Sequence, residues 1–528
     1  MSRYADLALI NGNVISMSNS IHGAEAIAII GNKIVFVGSN SECSKFIGSN
    51  TRVIDCKGMA ILPGFIDVHN HLVDYGLKLN WINLRNTFSI NDLKKLVRDK
   101  IEEVGIGKWI LGYGWDQEKF VEKRYPLRYD LDDVSPKNPV VLVRVCGHIC
   151  VVNTAALEIA GIDSSIISSE NRYIDRDSNG EPTGILREKA MDLVMLKVPK
   201  PSINDLVEAA EKACFEALKN GLTTIHVVAA QPDEIKAFQR LRRDGRLHVR
   251  IVLYVDRSIL RCLKDLGIER GFGDLFLKIN GVKLFMDGSF GARTAALREP
   301  YADDPSVSGI LYNVDDVRED VKLAHKANLQ VALHAIGDKA VIEAIRIFKE
   351  LDNVNLMRHR IEHASLLPPE VVSEVLRLGL VLTIQPSFTV SDFWIVDRLG
   401  VERVKYVYLS NSLISRGVKI AGGSDCPVEN MSPLYQIYSA VTRGKYEGLE
   451  LYKYTGIECV SVLDAIKLFT LDAAYAGFEE EIKGSIEPGK LADIVVLSEN
   501  PLTIDPERIK DIRVCITIVD GDVKYLCL

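Results

Sequence analysis

His69 and His71 stand two residues apart at the end of an apolar stretch, residues 64–71. In a strand that spacing sends both imidazoles out of the same face. Four further residues able to bind a metal or carry a proton fall near the ends of similar stretches: Lys283, His334, His363 and Asp425. Core packing accounts for a single buried histidine more readily than metal binding does. It does not account for four of only ten histidines recurring at strand ends. Imidazoles and a carboxylate make a nitrogen and oxygen donor set that suits zinc, iron, manganese or cobalt, with one or two ions and zinc the expected one.

Lys283 lies in the apolar run VKLF, where an unpaired ammonium is costly to bury. A desolvated lysine gives up its proton readily, and the neutral amine can add CO₂ to form a carbamate able to bridge two metals. A contact with Asp287 or with a substrate carboxylate is the other reading. Asp425, in AGGSDCPV, is placed to take a proton from metal-activated water and pass it to a leaving group. Its alternative role is to cap a following helix. Cys146 and Cys150 flank His148, but no second cysteine pair lies nearby to complete a zinc knuckle.

The elements that must position these residues read as an α/β chain. Eight strands are predicted at 64–71, 221–229, 248–256, 281–289, 329–338, 358–366, 380–388 and 418–428. Amphipathic helical patterns follow them, as βα units require. Eight units favour a closed, distorted (β/α)₈ TIM barrel, in which strand C-termini converge on one mouth.

The two ends of the chain differ from this middle. Residues 1–60 and 485–528 are short strands with turn punctuation, including a hairpin around Gly31-Asn32 and a turn at Asp520-Gly521. Neither end carries enough strands for its own core, so a small β-sandwich from both termini is expected, with the barrel over 61–484. The gap of about 72–220 is too long for one crossover and predicts an inserted α+β subdomain at the barrel mouth. Trp109, Tyr113, Trp115 and Phe120 in the insertion, with Phe388, Phe393 and Trp394 after the seventh strand, are candidates either for an apolar pocket or for core.

With 64 basic and 71 acidic residues and a net charge of −7, nothing favours nucleic acid or anionic membrane. No apolar run is long enough to span a bilayer and the N-terminus does not resemble a signal peptide. The ten scattered cysteines fit a reduced, cytoplasmic protein. A small-molecule substrate is the expected partner, and a homodimer is the common default.

The segment LPGFIDVHNHL resembles the first-strand signature of the amidohydrolase superfamily. GVKLFMDGSFGARTAAL, HAIGDKAV, RIEHA, GGSDCPV and KGSIEPGKLADIVVL, with LDDVSPKNPVVLVRVCGHICVVNTAALEIAGI and GEPTGIL in the insertion, resemble one branch of it. That branch is amidohydrolase family 3, which includes N-substituted formamide deformylase. The resemblance implies a mono- or binuclear metal centre with His69, His71, Lys283, His334, His363 and Asp425 as ligands, Lys283 carboxylated, and Asp425 also general acid and base. It places His148 and His226 near substrate, although CGHI stands where the family has DGHS and HVV where it has HDA. Asp287 and Arg293 match the family's stretch after the fourth strand, and the resemblance makes them candidate substrate-binding residues. The expected reaction is hydrolysis of a non-peptide C–N bond, in an amide or formamide-like group, by metal-activated water. Alternatives on the same scaffold are an isomerase, a lactonase, a deaminase or a non-catalytic binding protein.

Overall fold

The computed structural model describes residues 4–145, 148–165 and 173–527. Cys146 and Gly147, part of the cysteine-flanked histidine segment, lie outside the described residues. Eight parallel strands follow one another in chain order around a nearly closed barrel. They are β1 (Phe65–Asn70), β2 (Leu222–Ala230), β3 (Arg250–Asp256), β4 (Leu277–Phe285), β5 (Gln330–Ala335), β6 (Arg360–His363), β7 (Val381–Ile384) and β8 (Lys419–Gly422). A parallel bridge between Asn70 and Cys426 joins the two edge strands just beyond the end of β8.

All eight expected strands are present, with one shift of frame. β4 begins at Leu277 and stops at Phe285, four residues earlier at each end than the predicted 281–289. Lys278 and Asn280 interrupt the apolar pattern at its start, yet the strand runs through them: Lys278 pairs in register with Val252 of β3, and Asn280 falls at an irregularity between the pairs Leu253–Ile279 and Tyr254–Gly281. At the other end, Asp287 leaves the strand and collects backbone amides from Ala296, Ile336 and Gly337.

The helices that cover the barrel form for local reasons. Helix Val314–Lys326 is capped by Asn313, whose side chain accepts from the amides of Asp315 and Asp316. Helix Asp338–Lys349 buries Val341, Ala344, Ile345 and Phe348 on one stripe, at the spacing of a helix packed on a sheet.

The strands at the two ends form two sheets. One runs Lys33–Gly38, Ala26–Ile30, Leu7–Ile10, Arg52–Asp55; the other runs Asn13–Val14, Ala60–Pro63, Ile494–Leu497, Val514–Val519, Asp522–Leu526. Leu9, Ile27, Ile29 and Ile54 from the first meet Ile61, Ile494, Val496, Ile516 and Ile518 from the second in one apolar core. The second sheet therefore needs both ends of the chain. Leu7–Ile10 and Asn13–Val14, adjacent in sequence, go to different sheets.

Contacts divide the chain into two compact units, one of Gly76–Ala209 and one of the remainder. The Gly76–Ala209 unit holds a six-stranded mixed sheet and helix Ile90–Val104. Trp115 and Phe120 are fully buried in its core with Leu93, Ile110 and Leu142, and Trp109 packs against a second cluster around Cys150 and Leu186. No helix among the described residues is long and apolar enough to cross a membrane.

Candidate active site

The seam between β1 and β8 sets the geometry of the site. Asp425 donates its amide to the carbonyl of His69 at 2.7 Å, and His71 donates its amide to the carbonyl of Cys426 at 2.8 Å. Asp67 reinforces the seam. Its carboxylate accepts from the amides of His69 and Ser424, from the Ser424 hydroxyl and from the Asn70 side chain. Gly423 makes the approach possible: a Cβ there would lie 2.6 Å from His69 Cβ and 2.8 Å from the His69 nitrogen. As a result the ligand atoms of His69, His71 and Asp425 lie within 4.8 Å of one another. Asp425 Oδ1 is 3.5 Å from His69 Nε2 and 3.3 Å from His71 Nε2.

The other three residues join from β4, β5 and β6. Lys283 is 1% exposed, and its Nζ donates to His69 Nε2 at 3.3 Å. The His363 ring lies 4.7 Å from that of His69 and 4.5 Å from that of His334, centroid to centroid. His363 and Asp425 both adopt left-handed backbone, with φ of 70° and 55°. Non-glycine residues pay about 1–2 kcal/mol for that conformation, and here it falls on site residues.

Each of three imidazoles has one nitrogen committed to an oxygen. His69 Nδ1 donates to Glu362, His334 Nε2 to the Gly288 carbonyl at 2.9 Å, and His363 Nδ1 to Gln385 Oε1 at 2.8 Å. The second nitrogen of each ring is left as a lone-pair donor, the arrangement that metal-ligating histidines use. Burial, with help from Lys283, lowers His69 to about 4 and His334 to about 3, and it drops His363 well below the usual range. These rings are neutral near pH 7. Burial alone would raise Asp425, but His69 and the His71 hydrogen bond outweigh it and keep the carboxylate ionised. Burial pulls Lys283 down to about 8. Neutral imidazoles, an ionised carboxylate and a readily deprotonated amine are the donor states a borderline divalent cation requires, so the residues fit such an ion.

The four residues expected at substrate have other surroundings. His226 is fully buried, its Nδ1 accepting from Arg360 at 3.1 Å and its ring beside Tyr254, so it faces the barrel interior. The carboxylate of Asp287 is occupied by its three amides, and burial raises it to about 7. Arg293 is held by Asp303 through Nε and Nη2. His148, in the Gly76–Ala209 unit, is exposed and 3.2 Å from Glu188. Of the aromatic candidates, Phe388 lies parallel to His363 at 6.3 Å, Trp394 packs in the cluster around it, and Phe393 is exposed.

Glu362 and Asp67 were not among the expected site residues, although RIEHA and FIDVHNH contain them. Each adjoins the donor residues closely in sequence. In an apolar strand of a closed barrel, a carboxylate must have a partner, and that is the signal that marks them.

Over residues 52–525 the chain matches the model of the amidohydrolase family. It is 33% identical over 522 residues to YtcJ of Bacillus subtilis, a protein named for the amidohydrolases, covering 97% of this chain and 98% of that one. It is 25% identical over 547 residues to the N-substituted formamide deformylase of Arthrobacter pascens, covering 99% of each. Among solved structures, an uncharacterized metal-dependent hydrolase from Pyrococcus horikoshii OT3 superposes with a TM-score of 0.81 at 32% identity, over 95% of this chain and 99% of that one.

Proposed function

The chain belongs to the amidohydrolase family, and on that premise we propose that it is a metal-dependent hydrolase that cleaves a non-peptide carbon–nitrogen bond in an N-substituted amide or formamide-like substrate. The observation that carries this is the meeting of His69, His71 and Asp425 within 4.8 Å, beside Lys283, His334 and His363. Those six residues would hold one or two divalent ions, zinc first among them. A divalent cation there supplies Lewis acidity, which acidifies water and polarises a carbonyl.

The protein's own groups then have distinct tasks. The imidazoles present neutral nitrogens whose orientation is set by Glu362, the Gly288 carbonyl and Gln385. Lys283, as its carbamate, contributes an anion in place of a buried ammonium. Its formation consumes CO₂ and releases one proton from the amine. Asp425 accepts a proton from the attacking water and returns it to the departing nitrogen, so amide plus water gives acid plus amine. The formamide lean rests on full-length similarity to the Arthrobacter pascens enzyme and on Phe388 stacked beside His363.

A test is turnover of a panel of N-substituted formamides and amides by protein loaded with zinc, manganese or cobalt. Hydrolysis that a chelator abolishes and added metal restores is expected. Asp425→Asn should retain bound metal and lose at least about 10³-fold in kcat, within the range set by losing a general acid–base and a charged group. Full activity of Asp425→Asn refutes its role, and no hydrolysis of any C–N substrate by metal-loaded protein refutes the reaction class.

A further inference from the structure

Beneath His69 the barrel interior is polar where aliphatic layers ordinarily fill such a barrel. Glu362 and Arg360, both 0% exposed, pair through Arg360 Nε to Oε1 at 2.7 Å and Nη2 to Oε2 at 2.9 Å. Glu362 Oε2 also accepts from the Thr383 hydroxyl at 2.7 Å and from His69 Nδ1. Arg360 reaches across the barrel to the Val68 carbonyl of β1 at 2.6 Å, and to His226. A fully buried ion pair of this kind is a poor source of stability, because desolvation offsets its attraction and apolar replacements are often neutral or better. What the pair does accomplish is geometric. It fixes a charged acceptor on one nitrogen of one imidazole, and it ties that acceptor to the strand carrying the imidazole.

We propose that Glu362 is a positioning residue for the metal centre: its carboxylate, locked by Arg360 and Thr383, keeps the His69 proton on Nδ1 and so holds Nε2 as a lone-pair donor beside Lys283 and Asp425. This rests on the metal-centre reading above. The carboxylate has three donors on Oε2, of which only Nδ1 belongs to a candidate ligand, so the other two set its place independently of any ion. Glu362 touches neither substrate nor reacting atoms in this role.

The test uses the full-length chain and zinc alone. Zinc affinity is measured by competition with a chromophoric chelator, and thermal unfolding of the metal-free protein is measured in parallel. Glu362→Gln preserves shape and an acceptor but removes the charge, so zinc binding, measured well below the variant's Tm, should weaken by about tenfold to a hundredfold. It also leaves Arg360 buried without its counter-ion, so Tm of the metal-free protein should fall. Thr383→Val, which removes one donor from the same oxygen, should weaken zinc binding in the same direction by a smaller factor and serves if the glutamine variant does not fold. Histidine side-chain ¹⁵N spectra of metal-free protein should show His69 as the Nδ1–H tautomer in the wild type and a mixture in Glu362→Gln. Wild-type zinc affinity in both variants overturns the inference, as does a fall in Tm with zinc affinity intact. Failure of the wild-type chain to bind zinc overturns the metal-centre reading itself, which separates the two outcomes.

Discussion

Lys283 shows how much one side chain can reveal before any coordinates exist and where that stops. A lysine inside VKLF must be either paired or chemically altered, and the structure places it against His69 rather than Asp287. The Asp287 carboxylate accepts instead from the backbone amides of Ala296, Ile336 and Gly337. Lys283→Ala should therefore lose most bound metal and activity, and short carboxylates such as formate or propionate should restore part of both by entering the vacated space. Metal content and rate, each measured with and without added carboxylate, check this; a variant as active as wild type would show that the amine has no part in the centre. His226 marks the opposite case. The family resemblance placed it near substrate; it stands in the middle of β2, fully buried, with its Nδ1 accepting from Arg360. Face alternation tells which residues of a strand point into the barrel, and depth along the strand decides which of those lie at the mouth and which in the layer below.

At the scale of elements, the eight strands were legible because each is an apolar run followed by a helical pattern, and five of them end near a residue able to bind a metal or carry a proton. The pairing of the terminal strands was less so. Leu7–Ile10 and Asn13–Val14 look like one hairpin, yet they part into two sheets, because the second finds its partner at Ala60–Pro63. Long-range pairing of that kind leaves no local trace. The early end of β4 was obscured for a related reason: the polar Lys278 and Asn280 are satisfied by distant groups, Glu479 and the Gly477 carbonyl. Just beyond the end of β8, Gly423 packs closely against His69 of β1. Gly423→Ala puts a methyl 2.6 Å from His69 Cβ and must push the strands apart. Overpacking of this sort costs about 1–3 kcal/mol, and here it should also lower zinc occupancy. Thermal unfolding and metal content of the variant test it; unchanged values in both would show that the seam is compliant.

For the molecule as a whole, the barrel and the terminal strands are joined by buried charge. Arg250 at the start of β3 holds Asp493 through two hydrogen bonds and Asp520 through a third. Glu479 sits between Lys278 and Lys483 at 2.6 and 2.7 Å. Burial works to raise Glu479, but the two lysines outweigh it and hold the carboxylate down at about 2. Lys483 is itself lowered by burial to about 8, so it stays charged throughout the acid range. A carboxylate lowered on folding stabilises above its unfolded value and loses that contribution as pH falls toward its folded one. Stability should thus fall by about 3 kcal/mol between pH 4.5 and 2 on account of this residue. Glu479→Gln should show a flatter acid limb in denaturant unfolding, and an identical slope would remove Glu479 from the account. The central claim remains that six side chains drawn from residues 69 to 425 gather around a shared cation. Anomalous diffraction at the zinc edge, from crystals grown with zinc, tests it most directly. A peak coordinated by His69, His71 and Asp425, with Lys283, His334 and His363 around it, is the predicted result. Zinc bound elsewhere on the chain, with those side chains turned away from one another, would contradict it.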